Sequence, residues 1–200
     1  MSKFLQGILF LAAVVTLYAQ PKRQVVVEKN DRTAHVGLSV SAKTGNYVIR
    51  PAHSADVLHV YSNLGSNGSP YFLEESVVGD MHNLSLELSG LHGGGLTQTI
   101  SDQVMGSHSI DENEEQFWKI FLTDARPYQL NLDYALGNAD IDLSGLAVER
   151  LHLTSGSSDV HLGFPHSPNK VEMDTFMVQV DLGSLEISRM SSACLLYTSD

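Results

Sequence analysis

From residue 130 onward the chain repeats itself, and that repetition restricts its fold more than any other feature. The first unit runs from Leu130 and Leu132 through Gly137 and Ala139 to Ile141 and Leu143. The second runs from Leu151 and Leu153 through Gly156 to Val160 and Leu162, and the third from Met177, Val178 and Val180 through Gly183 to Leu185 and Ile187. Each unit is two short alternating segments around one glycine. The glycines lie 19 and then 27 residues apart, the longer gap holding Phe164, Pro165, Pro168 and Asn169 and closing at Thr175. A period of two is the period of a strand. It places Leu130/Leu132, Ile141/Leu143, Leu151/Leu153, Val160/Leu162, Val178/Val180 and Leu185/Ile187 on one inward face, with the glycines taking up bends or positive φ. One such rung cannot cover its own apolar face, so its neighbours must stack on it. The expectation is an all-β fold of stacked rungs, solenoid-like or a rolled β-sandwich, growing rung by rung. Its last edge is left open and therefore prone to aggregation.

Upstream, the same strand signals recur less regularly. Val25-Val26-Val27-Glu28 is a β-branched run, and His35 to Ser41 alternates apolar and polar residues. Thr44-Gly45-Asn46 reads as a turn with Tyr47-Val48-Ile49-Arg50 as the return strand, which together predict a hairpin. Val57 to Tyr61 and Leu84 to Leu88 are further strands, with Leu64 to Pro70 as a loop. Phe117 to Leu122 is the most aromatic stretch and reads as a buried strand, with Trp118 in the core rather than serving as a sugar-stacking platform. Gly and Ser interrupt every amphipathic helical pattern before three turns.

Both ends differ in kind from the middle. Met1-Ser2-Lys3 precedes an apolar run from Phe4 to Leu17, followed by Leu17-Tyr18-Ala19 and then Gln20, Pro21, Lys22 and Arg23. A basic start, an apolar stretch of about 14 residues and a small residue at the cleavage point make a signal peptide, too short for a spanning helix of roughly 20. Residues 1–19 are therefore expected to direct export to the periplasm or cell surface. At the other end Cys194-Leu195-Leu196-Tyr197-Thr198-Ser199 resembles the translation of a transposon-based sequencing adapter. Residues 194–200 are accordingly expected to be an artefact, with the natural protein continuing beyond Ala193. Cys194 is the sole cysteine, so no disulfide is expected and packing must supply the stability.

The hydrophobic fraction of 42% is enough for a packed core. The formal net charge of −11 repels phosphate backbones and anionic membrane surfaces, and Lys22, Arg23, Lys43, Arg50, Lys119 and Arg126 are scattered rather than clustered. No nucleic acid is expected as a partner, and no transmembrane span in the mature region.

Several residues carry chemistry worth weighing. His152, His161 and His166 lie close in sequence, but His152 and His161 alternate with core positions and face outward, whereas zinc needs three or four converging ligands. Asp140, Asp142 and Asp159 recur near the repeat glycines. Paired carboxylates could cleave a polysaccharide, but their recurrence with the repeat fits turn chemistry better. Asp111 to Glu115 offers hard oxygens for calcium without the spacing of a calcium loop. His92-Gly93-Gly94-Gly95 lacks the helix and Lys of a phosphate loop. No catalytic, metal or cofactor-binding residue is assigned.

The segments from Trp118 through Leu130 to Leu146, Leu151 to Val160, and Pro168-Asn169-Lys170 resemble the toast-rack putative adhesin domains. They are also similar to the related C-terminal domains of cell-wall-active antibiotic response proteins. The resemblance covers roughly residues 116–193; residues 20–115 form an N-terminal β region, of which residues 24–115 are only loosely similar. It implies a bacterial envelope protein of stacked β-rungs with an adhesive, scaffolding or stress-sensing role and no catalytic residues. Its partner would be an envelope protein or a glycan met on the outer β surface and loops, with self-association also expected. The alternatives are a polysaccharide-active β-solenoid enzyme and a purely structural oligomerising module.

Overall fold

The computed structural model describes residues 22–63, 71–88 and 117–195. Ten strands order them: β1 (Lys22–Val27), β2 (His35–Ala52), β3 (Leu58–Ser62), β4 (Tyr71–Val78), β5 (Met81–Leu88), β6 (Phe117–Thr123), β7 (Tyr128–Asp142), β8 (Val148–Gly163), β9 (Thr175–Leu182) and β10 (Leu185–Ser188). A single 3-10 turn, Met190–Ala193, follows. The expected signal segment, the loop 64–70, the glycine run 93–95 and the acidic run 111–115 lie outside the described residues. Among the described residues no helix is long and apolar enough to cross a membrane.

The long strands β2, β7 and β8 pair in parallel along their whole length. Leu38, Leu130 and Leu151 share one register, as do Val40, Leu132 and Leu153, and Ile49, Ile141 and Leu162. Buried residues run at even numbers through Val36, Leu38, Val40 and Ala42, then at odd numbers from Tyr47 to Ile49. In β7 the parity changes between Tyr134 and Ala139, and in β8 between Ser155 and Ser158. A one-residue slip turns the other face of a strand toward the core. Each long strand thus bends into two halves, and both halves bury their apolar side chains in one shared cluster. The result is a single sheet folded into two leaves. Tyr47 and Tyr134 stack across the bend with ring centroids 4.7 Å apart and planes within 9°.

The leaves are completed by shorter strands. On the first leaf the order is β4-β5-β2-β7-β8-β9, with β4 antiparallel to β5 and the rest parallel. On the second it is β1-β3-β6-β2-β7-β8-β10, with the β1–β3 and β3–β6 pairs antiparallel and the rest parallel. The rungs therefore stack as β5/β6, β2, β7, β8 and β9/β10. The expected rungs are present, but they are not added in chain order, because β2 lies between the β5/β6 rung and β7.

Two further expectations are corrected. The predicted hairpin at Thr44-Gly45-Asn46 does not exist: Gly45, with φ of 125°, lies inside the bend of one continuous 18-residue strand. A glycine with positive φ marks a turn and a strand bend equally well, so local sequence could not separate them. The bend column also differs from the glycine spacing. Gly45 pairs with Gly137, and Gly137 with Ser158 rather than Gly156. In β8 the bend is made by Ser155 and Ser158, both buried, whose hydroxyls hydrogen-bond to each other. Strand β4 has no counterpart in the sequence reading, since its outer pattern leaves only Tyr71 and Leu73 packed against the core.

Trp118 is fully buried, as expected. The inward positions of β7 and β8 are buried too, but those of the last rung are not: Val178 and Val180 are half-buried, and Leu185 and Ile187 are exposed. Among the described residues no strand pairs with the outer edge of β9 or β10.

Candidate functional site

Bending and coiling the sheet hollows the outer side of the first leaf into a groove of about 760 Å³. The groove crosses the strands. One row of its floor is Glu74, Ser85, Ser39, Asn131 and His152, supplied in order by β4, β5, β2, β7 and β8. A parallel row is Ser76, Asn83, Gly37, Gln129, Arg150 and Thr175, ending on β9. These are the outward alternates of the buried leucines, so the pattern that builds the core also builds the groove. Neighbouring strands are about 4.8 Å apart, so the first row presents one polar group per strand at that spacing, and the second does so except at Gly37.

The electrostatics of the groove are muted. Arg150 donates to both carboxylate oxygens of Asp174, at 2.8–3.0 Å. The Arg150 hydrogen bond, helped by Thr175, holds the Asp174 carboxyl below its ordinary range. Glu75 meets the buried His82 Nε2 at 3.1 Å. Asn131 Nδ2 donates to Ser39 Oγ at 3.3 Å. A side chain on Gly37 would bring its Cβ to 2.7 Å from Asn83 Oδ1, so the missing side chain lets the Asn83 amide lean across the floor.

The carboxylates singled out from the sequence lie elsewhere, on the second leaf and at the bend. Asp140 forms an ion pair with Arg50 from the neighbouring rung. Asp142 accepts from its own turn, Ser144 N at 2.8 Å. Asp159 accepts from Ser184 N and Oγ at 2.9 and 2.7 Å, which holds its carboxyl below the ordinary range. Each is tied to a protein donor, Asp142 as a turn acceptor and the other two as links between rungs. A smaller recess of about 220 Å³ gathers Arg50, Asp140, Asp142, His161, His166 and Glu186. His152 is not among them, since the β8 bend puts it on the other leaf. Among the described residues no group of three or more His, Cys, Asp or Glu is arranged to hold a metal ion. Cys194 follows the 3-10 turn, its thiol 3.4 Å from Asn169 O.

The outward polar alternates were legible one by one, but the groove was not. It arises because β2, β5 and β7 meet from distant parts of the chain. A run such as Gly37-Leu38-Ser39 carries no sign of its neighbours.

Comparison with known proteins agrees with this architecture. The chain resembles a solved structure of a putative cell adhesion protein from Clostridium sporogenes, with a TM-score of 0.57 and 14% identity over 84% of this chain and 99% of that one. At this identity the likeness is one of fold. No curated protein matches the chain. The family model described as the N-terminal domain of toast_rack (DUF2154) matches residues 80–191, from the start of β5 to the 3-10 turn. That match takes in more than half of the chain, which therefore belongs to the toast-rack family.

Proposed function

We propose that the protein is an exported, non-catalytic component of the bacterial envelope that acts as an adhesin or envelope-stress scaffold, binding protein or glycan through the outer faces and loops of its stack. The observation that carries this reading is the groove on the first leaf: a concave surface of amides and hydroxyls, with its arginine clamped by a carboxylate, is built to hold a partner. Family membership and the adhesion name of the structural neighbour support the same reading. The carboxylates an enzyme would use are engaged in holding rungs and turns together. Export rests on residues 1–19. Expressed in a bacterial host, the full chain is expected in the periplasmic or surface fraction, and a chain lacking residues 1–19 in the cytoplasm. Equal distribution of the two would remove export from the proposal.

One observation favours the oligomerising module as a second reading. Leu182, Leu185 and Ile187 are exposed on β9 and β10, strands whose outer edges pair with no strand among the described residues, and such an edge templates pairing with another chain. A second copy is the occupant in this reading. Sedimentation at rising concentration should then show self-association that Val178→Lys with Ile187→Lys reduces several-fold, since charge on an edge blocks strand addition. Unchanged association in that variant would exclude the edge.

A further inference from the structure

We infer that the groove on the first leaf takes a neutral, linear polysaccharide laid across the strands, with Asn83, Gln129 and Asn131 as its principal contacts. The inference rests on the adhesive reading above and narrows it to one face and one ligand class.

Three features choose the ligand. The first is the spacing. Ser85, Ser39 and Asn131 in one row offer a hydroxyl or amide on three successive strands, and in the other row Asn83 and Gln129 offer amides two strands apart, on either side of Gly37. A polymer whose hydroxyls recur at each residue meets the same kind of group again at each strand, about 4.8 Å further on. Amides and hydroxyls both donate and accept, as sugar hydroxyls do. Among the described residues no protein hydrogen bond engages the side chains of Ser85, Asn83 or Gln129, so their capacity is directed outward.

Charge is the second feature. Arg150 is clamped by Asp174, Glu74 stands at one end of the floor, and the chain carries a formal net charge of −11. A polyanion would find little to pair with and a repelling field around it. The third feature is position. An extended peptide docks by adding to a free sheet edge or by seating apolar side chains in pockets. The groove lies on a face whose backbone is already consumed in the ladders of six strands, and its floor side chains are polar. A peptide is therefore disfavoured here, although the β9/β10 edge suits one.

Each contact replaces a hydrogen bond to water, and among the described residues no Phe, Tyr or Trp ring lines the groove. The affinity of a single site is thus expected to be weak, on the order of 0.1–1 mM. The full chain would be titrated by NMR or calorimetry with neutral β-linked oligosaccharides of increasing length, with acidic oligosaccharides and a random peptide mixture run alongside. Neutral chains should bind more tightly with length until the groove is filled, then level off. The double variant Gln129→Ala with Asn131→Ala should weaken this at least tenfold while keeping the wild-type melting temperature. His166→Ala, on the other leaf, should leave it unchanged. Length-independent binding, preference for acidic chains or peptides, or full binding by the double variant would each overturn the inference. Whole-cell adhesion separates it from the reading beneath it. If the double variant still adheres to cells, the groove is the wrong face but adhesion survives. If the wild type does not adhere, the adhesive reading itself fails.

Discussion

Gly137→Ala should yield no folded protein. Gly137 sits at the bend of β7 with φ of 123°, a region closed to side-chain-bearing residues. A Cβ there would lie 1.8 Å from the carbonyl oxygen of Gly45 and 2.8 Å from its carbonyl carbon. The obstacle is backbone on the adjacent central strand, so no rotamer change relieves it. A strained conformation alone costs about 1–3 kcal/mol. Forcing β2 and β7 apart at mid-length adds lost ladder bonds and broken core contact on both leaves. The sum should exceed the roughly 5 kcal/mol that already marks an exceptional substitution, against a total stability of about 5–15 kcal/mol. Gly79→Ala is the informative companion. Gly79 also has positive φ, 63°, but a Cβ there meets nothing within 4 Å, so only a modest strain of about 1 kcal/mol is expected. Far-UV circular dichroism and thermal melting of the two variants read the difference. Equal losses would mean that backbone conformation, and not the close approach of two rungs, is what the bend glycine provides.

The same column shows what the sequence could and could not disclose. Strand identity, the inward leucines and the two-part shape of each unit all follow from alternation, because a strand writes its burial into its own residues. The bend is less legible. Gly45 and Gly137 pair with each other, yet the third member of the column is Ser158, since β8 makes its turn with two buried serines instead of positive φ. Glycine spacing therefore aligned Gly156 where the structure aligns Ser158. Rung order was hidden for a different reason. Placing β2 between the β5/β6 rung and β7 depends on which apolar edges find one another across long stretches of chain, and several orders satisfy the same pattern.

The groove illustrates the limit at the level of the site. Ser39, Gln129, Asn131 and His152 could each be called outward, and nothing more could be said of any of them alone. Their meaning comes from register: one residue of slip in β2 against β7 would put Leu38 beside Asn131 and destroy groove and core together. Asp140, Asp142 and Asp159 stood out because acids near glycines attract notice. In the fold each is tied to a protein donor, and the surface suited to a partner is made of residues with no individual signature.

Asn169 is expected to produce the second-largest loss. Its side chain is buried in the connection between β8 and β9, where it acts as a missing piece of strand. Oδ1 accepts from Val148 N at 2.7 Å, and Nδ2 lies 2.7 Å from Val148 O and 2.8 Å from Val171 O, with Ala193 O at 3.4 Å. The amide thus satisfies both backbone groups of the first residue of β8 and ties the connection to the 3-10 turn. Asn169→Ala leaves these groups without partners, at about 1–3 kcal/mol for each one that water cannot reach, so a loss of about 3–4 kcal/mol is expected in denaturant unfolding. Asn169→Asp tests whether the donor matters. Its carboxylate keeps the acceptor for Val148 N but turns a charge toward carbonyl oxygens, which raises its folded-state pKa above the unfolded value. The penalty is therefore present at neutral pH and is relieved as pH falls through that raised pKa, because the protonated acid can donate one hydrogen bond. Measured against the wild type at each pH, the Asp variant should recover stability on mild acidification, and the Ala variant should not. A gap that stays constant with pH for both would show that the Nδ2 donor to Val148 and Val171 contributes little, and that Asn169 holds the connection through its acceptor and its packing alone.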